Sequence, residues 1–255
     1  MAKNIPVSYA SKRCNIVVFG VTGSGKSIVA NKILRYDAFK AGPCTQSVSC
    51  EERVIEGPDN VMYSVKVVDT MGFSDPLRNR DDTVKDIQTF FQEKVVEGVS
   101  LVLFIVKKRR FSMEVIETID FIKDNFKGIS PISALVITHC EALTDKARAE
   151  FIEHLKSNKD PEIVKVCTFM QKGIYAVGFP DLSVFQECIW PILEQSMEAD
   201  VKTLHQLIYQ STEMRPTSVM FYDEIFGGRE KKFSNRNNPN LKAEQGNSAD
   251  GCNVM

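Results

Sequence analysis

Gly20-Val21-Thr22-Gly23-Ser24-Gly25-Lys26-Ser27 fits the pattern G-x-x-x-x-G-K-[ST] of a phosphate-binding P-loop. Before it, Cys14 to Phe19 reads as a short buried strand. After it, Ser27 to Arg35 reads as a helix carrying Ile28, Val29, Ile33 and Leu34. The chemistry requires that order. Glycines let the backbone wrap a phosphate without Cβ clashes. Successive N–H groups then face the anion, and the following helix adds the positive end of its dipole. Val21, Thr22, Gly23, Ser24, Gly25, Lys26 and Ser27 are therefore the expected phosphate-binding residues. Within them Lys26 reaches the β- and γ-phosphates, and the Ser27 hydroxyl serves Mg²⁺.

Outward from this loop, apolar runs alternate with helical patterns. Strands are expected at 14–19, 50–55, 61–68, 100–106, 132–138 and 173–177. Helices are expected near 26–35, 83–96, 112–126, 144–157, 161–171 and 182–210. Such alternation predicts an α/β fold: a three-layer αβα arrangement around a mostly parallel six-stranded sheet. Leu101 to Val106 and Ile132 to Ile137 are nearly continuous apolar runs, as interior parallel strands require. Glu56-Gly57-Pro58-Asp59-Asn60 joins the second and third strands, which predicts one antiparallel edge hairpin.

The chain's 255 residues suffice for one large domain with extensions. A net charge of −1 gives no basic field, so nucleic acid is not an expected partner. No run approaches about 18 apolar residues, the length a spanning helix needs. The seven cysteines include no C-x-x-C pair and are odd in number, and the three histidines are scattered. This predicts reduced thiols, mostly small core residues, in a cytoplasmic protein.

Further site parts follow the strands. Asp69-Thr70-Met71-Gly72 ends the run Val65 to Val68. A D-x-x-G there suits a magnesium-side carboxylate, Asp69, and a glycine, Gly72, whose N–H meets the γ-phosphate. Thr45, Ser47 and Ser49 carry hydroxyls for the metal, with Ser49 favoured; the expected metal set is Ser27, Ser49 and Asp69. Phe73 stands where Ras-like GTPases place a water-orienting glutamine, so hydrolysis is expected to be slow and no catalytic residue is assigned. Arg78 and Arg80 lie just downstream, as catalytic, interface or solvated residues. Thr138-His139-Cys140-Glu141 occupies the place of the usual [NT]-K-x-D, with Glu141 in the carboxylate role and His139 against the base. A carboxylate pairs with guanine N1–H and the exocyclic amine, which adenine lacks. Tyr175 to Gly178 suits a loop that packs over the base through backbone N–H groups, so Thr138, His139, Glu141, Val177 and Gly178 form the expected guanine set.

Together the P-loop, Val68-Asp69-Thr70-Met71-Gly72-Phe73, Leu101 to Val106 followed by Arg110-Phe111-Ser112, and Thr138-His139-Cys140-Glu141 resemble the AIG-type GTPases. That group includes the GTPases of immunity-associated proteins and the chloroplast Toc receptors, and Thr138-His139 is especially like the Toc members. The resemblance spans about residues 13 to 210. It implies a P-loop NTPase G domain binding GTP or GDP with Mg²⁺, dimerising or oligomerising across the nucleotide face, in some members at membranes. This chain departs from the family pattern at Met71, where proline is common, at Glu141 for Asp, and in its switch-one serine for threonine.

The chain is thereby divided into an N-terminal extension (1–13), the G domain (14–210), a docking segment (211–226) and a disordered tail (227–255) rich in Asn, Lys, Arg and Ser. Cys252-Asn253-Val254-Met255 fits a C-a-a-X prenylation pattern, and Lys231, Lys232, Arg236 and Lys242 precede it. The expectation is a regulatory GTPase tethered through Cys252 to a cytoplasmic membrane face. The alternative is a GTP-stabilised interaction scaffold with negligible turnover. A P-loop kinase would need an arginine-rich lid and an acceptor site, and the sequence offers neither.

Overall fold

The computed structural model describes residues 7–40, 48–70, 80–95, 97–108, 112–212 and 220–221. Side chains alternate across the central strands, and this alternation sets the layers. In β1 (Lys12–Phe19), Cys14, Ile16 and Val18 enter one core while Val17 and Phe19 enter the other. The first core is completed by Val29, Ala30, Ile33 and Leu34 of α1 (Lys26–Leu34). The strands β2 (Val48–Glu56) and β3 (Met62–Thr70) follow, then α2 (Arg80–Lys94), which places Val84, Ile87 and Phe91 in the second core.

β4 (Leu101–Lys107) is buried along nearly its whole length, with Leu101, Leu103 and Ile105 facing α1 and Val102, Phe104 and Val106 facing α2. Next come α3 (Met113–Asn125), β5 (Phe126–Lys127), β6 (Ser133–Thr138), α4 (Asp145–Lys156), α5 (Pro161–Phe169) and β7 (Ile174–Ala176). The helix α6 (Trp190–Ser211) closes the first core with Leu204, Leu207 and Ile208. In the second core Phe19 lies 5.8 Å from Phe104 and 5.4 Å from Phe126, ring centre to ring centre. Rings at such tilted contacts contribute about 0.5–1.5 kcal/mol each beyond the area they bury.

The sheet order is β2-β3-β1-β4-β6-β7. All neighbours are parallel except β2 and β3, whose antiparallel register pairs Ser49 with Asp69. The three-layer expectation and the edge hairpin both hold. The chain moves from β1 to β3 on one side and then to β4 on the other. Its switch point therefore lies beside β1, at the strand ends where ligands bind in open α/β sheets.

Three features differ from expectation. The last helix begins at Trp190, not 182; Leu182–Val184 and Glu187–Ile189 are short 3₁₀ turns. Pro191, lacking an N–H, sits in the first turn, where it is tolerated, and stops the helix from running further back. A second, two-stranded sheet pairs β5 with β8 (Met220–Phe221). Among the described cysteines, Cys14 and Cys140 are core residues as expected, but Cys50 and Cys167 are half-buried and Cys188 is exposed. No helix among the described residues is long and apolar enough to cross a membrane.

Candidate functional site

The P-loop leaves β1 at Gly20 and closes onto α1 at Gly25. A Cβ on Gly20 would lie 2.3 Å from the Ile105 carbonyl oxygen, so only glycine lets the loop start this close to β4. Gly23 and Gly25 have φ of 75° and 92°, the left-handed region that other residues rarely adopt. Gly25 caps α1 without a side-chain hydrogen bond, so the first-turn N–H groups, which have no partner within the helix itself, face the loop.

Lys26 is the first residue of α1 and is only 9% exposed. Its Nζ donates to the Val21 carbonyl at 3.2 Å. Burial lowers its pKa, and the Asp69 charge acts in the opposite direction. The loop thus holds a poorly solvated cation. Ser24 is fully buried, and its Oγ has no hydrogen-bond partner among the described residues.

The Ser27 hydroxyl donates to Asp69 Oδ2 at 2.7 Å. The other carboxylate oxygen, Oδ1, is buried without a partner among the described residues. Burial raises the Asp69 pKa, against the lowering effects of the Ser27 hydrogen bond and Lys26. Ser49 is the cross-strand partner of Asp69. Directly opposed residues of an antiparallel pair have Cβ atoms about 4.5–5.5 Å apart. The expected metal set, Ser27, Ser49 and Asp69, is thereby brought together. These are all oxygen donors, the type a hard cation takes, and the orphaned Oδ1 fits such a ligand. The neighbouring Thr70 hydroxyl donates to the Val18 carbonyl at 2.7 Å, pinning the end of β3 to β1.

The base-side residues divide into two kinds. Thr138 is buried, and its Oγ1 donates to the Ser24 carbonyl at 2.7 Å. It therefore braces the P-loop from the end of β6, and its hydroxyl is already engaged. His139 adopts φ of 59° and, with Glu141, stays partly exposed: the side chains keep 39% and 32% of their surface. His139 Nδ1 lies 4.0 Å from Glu141 Oε1, too far for a hydrogen bond. Burial and Lys107 lower the His139 pKa against the pull of Glu141, which favours the neutral ring.

Val177 and Gly178 meet this loop from β7, but their amides are not free. The Val177 N–H donates to the Ile137 carbonyl at 2.8 Å, and the Gly178 N–H to Asp200 Oδ2 at 2.8 Å. The expected donation of these amides to a base is corrected accordingly. What Gly178 provides is proximity, since a Cβ there would lie 2.4 Å from the Glu141 nitrogen. Sequence reasoning missed two residues here. Arg148 of α4 and Asp200 of α6 form a buried ion pair at 2.6 Å. Gly72, Phe73, Thr45, Ser47, Arg78, the Arg110-Phe111 pair and Cys252 lie outside the described residues.

A model of the AIG1 family matches residues 14–173, a segment running from β1 almost to β7. The chain belongs to the AIG1 family. Among its relatives, GTPase IMAP family member 8 of Rattus norvegicus is 24% identical over 158 residues, covering 60% of this chain and 23% of the relative. Immune-associated nucleotide-binding protein 9 of Arabidopsis thaliana is 27% identical over 162 residues, covering 62% of this chain and 46% of the relative. The chain thus spans less than half the length of the relatives it matches. Toc33 from Arabidopsis thaliana, solved with Mg²⁺ and GMPPNP, superposes with a TM-score of 0.51 at 15% identity, over 80% of this chain and 87% of Toc33. A dimerisation-deficient Toc33 variant gives 0.54 at 14% identity, over 82% and 88%. At such identities the likeness concerns the fold alone: helices packed around a mostly parallel sheet with one antiparallel pair.

Proposed function

We propose that this AIG1-family chain is a guanine-nucleotide-binding regulatory GTPase with slow intrinsic hydrolysis. The observation that carries the reading is the pairing of Ser27 with Asp69 beside the buried Lys26, with Asp69 Oδ1 and Ser24 Oγ left without a partner among the described residues. Buried polar atoms without partners are costly, and a ligand that supplies partners explains them. The P-loop amides, Lys26 and Ser24 would hold the phosphates of GTP or GDP. Ser27, Asp69 and Ser49 would hold Mg²⁺, which neutralises charge on the β- and γ-phosphate oxygens when bound. Gly72 would add its N–H to the γ-phosphate.

Glu141 would read guanine, with His139 beside it as a neutral ring. Sites that leave a polar group unpaired against the wrong ligand can reject it by 10⁴ or more, but Glu141 is a third exposed. The expected preference for GTP over ATP is therefore smaller, on the order of a hundredfold. Phe73 in place of a water-orienting glutamine supports slow turnover. It equally favours a GTP-stabilised scaffold in which hydrolysis is incidental. The reported importance of dimerisation for the GTPase activity of chloroplast translocon components supports a dimer or oligomer through the nucleotide face. Cys252, once prenylated, would attach the chain to the cytoplasmic side of a membrane.

Isothermal titration with GTP, GDP and ATP, with and without Mg²⁺, tests the reading. Magnesium-dependent GTP binding that loses its preference over ATP in Glu141→Ala is the expected result. Equal affinity of the unaltered protein for GTP and ATP would refute the base-reading role of Glu141.

A further inference from the structure

The buried pair Arg148–Asp200 hydrogen-bonds to both base-side loops. Its side chains keep only 9% and 8% of their surface. Arg148 Nη1 donates to Asp200 Oδ1 at 2.6 Å, and Arg148 Nε donates to the Cys140 carbonyl at 3.2 Å. The other Asp200 oxygen accepts the Gly178 N–H at 2.8 Å. Cys140 in turn donates its N–H to the Val177 carbonyl at 3.1 Å. Each loop is therefore held twice: to its neighbour, and to an ion pair fixed on two helices.

A buried ion pair is weak evidence for stability, because apolar residues of similar volume serve as well or better. Apolar residues, however, could neither accept the Gly178 N–H nor donate to the Cys140 carbonyl. Those two bonds flank Glu141. Cys140 is its chain neighbour, and Gly178 packs so closely that a Cβ would collide with the Glu141 backbone at 2.4 and 2.5 Å. Burial raises the Asp200 pKa, while the Gly178 amide and Arg148 lower it, which marks the carboxylate as dependent on these two partners.

We propose that Arg148 and Asp200 are positioning residues that fix Glu141 for base recognition, and so set guanine selectivity without contributing to phosphate affinity. This rests on the reading of Glu141 as the base-contacting carboxylate. The pair is split between α4 and α6, so the two helices jointly determine where that carboxylate stands.

The test uses the full chain carrying Asp200→Asn, which keeps the shape but cannot accept both bonds as a charged group. Affinities for GTP, ATP and tripolyphosphate are measured with Mg²⁺. The expected result is GTP affinity lowered roughly tenfold, the effect of losing a charge-assisted hydrogen bond, with ATP and tripolyphosphate unchanged. A fall shared equally by all three ligands would mean general loosening and overturn the inference, as would an unchanged GTP-to-ATP ratio. Should Asp200→Asn fail to fold, Arg148→Lys is read the same way, since an ammonium keeps the charge but lacks the guanidinium fork that spans both acceptors. If the unaltered chain itself fails to distinguish GTP from ATP, the Glu141 reading falls. If it discriminates and the variants do so equally well, only the positioning role falls.

Discussion

Replacing Lys26 by methionine separates a residue kept for a ligand from one kept for the fold. Lys26 is 9% exposed, with Val21 O, 3.2 Å away, as its hydrogen-bond acceptor among the described residues. Moving an ammonium into such a site costs several kcal/mol after relaxation. A hydrogen bond from a charged donor offsets about 1.5–3 kcal/mol of that, and attraction to Asp69 offsets more. The direction of the balance is given by the lowered Lys26 pKa, because desolvation outweighs Asp69. Methionine fills nearly the same volume without the charge. The nucleotide-free variant is therefore expected to match the parent or exceed it by about 1 kcal/mol, rather than to lose the roughly 2–5 kcal/mol typical of damaged cores. For a chain of this size, 1 kcal/mol corresponds to about 2–4 °C in Tm. GTP at a hundred times its Kd stabilises a binding protein by about 2.7 kcal/mol. Lys26→Met is expected to gain none of this. Thermal melts with and without Mg²⁺-GTP measure both quantities. A nucleotide-free variant less stable by about 2 kcal/mol or more would show that Lys26 is a structural lysine and refute the reasoning.

Thiol labelling of the native protein is expected to follow burial. Among the described cysteines, Cys188 reacts first and Cys50 and Cys167 slowly, while Cys14, pushed up to about 12 by burial, reacts only on unfolding. Peptide mass mapping after timed alkylation checks the order. Stability is expected to fall as the pH drops below about 6.5, in part through His205. Burial lowers its pKa, its Nε2 must donate to the Ile33 carbonyl at 2.8 Å, and Arg35 opposes its charge while Glu198 favours it. The folded state therefore resists a proton that the unfolded chain accepts, so the loss begins at the unfolded pKa and is complete below the folded one. Urea unfolding between pH 5 and 8 is expected to show a shallower slope in His205→Gln than in the parent.

The proposed phosphate half of the site was legible in the sequence because it is local. Its working parts are consecutive amides, two left-handed glycines and the first residues of one helix, all within eight positions. The side proposed to hold the metal was nearly as plain. An antiparallel hairpin was implied by the Glu56 to Asn60 turn, and its register sets Ser49 opposite Asp69. The base half is assembled otherwise. Thr138 and Gly178 were identified as nucleotide residues, yet the Thr138 hydroxyl and the Gly178 amide bind Ser24 and Asp200 instead. Residue type and spacing cannot reveal such engagement, since the partners come from distant segments. Arg148 and Asp200 lie 52 positions apart on two amphipathic helices, where either alone looks like an ordinary surface charge. The start of α6 was, by contrast, readable in principle: Pro191 marks a first helical turn, and the apolar pattern upstream obscured it. A motif thus reports the part of a site that the backbone forms by itself. The part proposed to choose the base depends on tertiary packing, and there a change in a remote helix is expected to alter selectivity while leaving the motif intact.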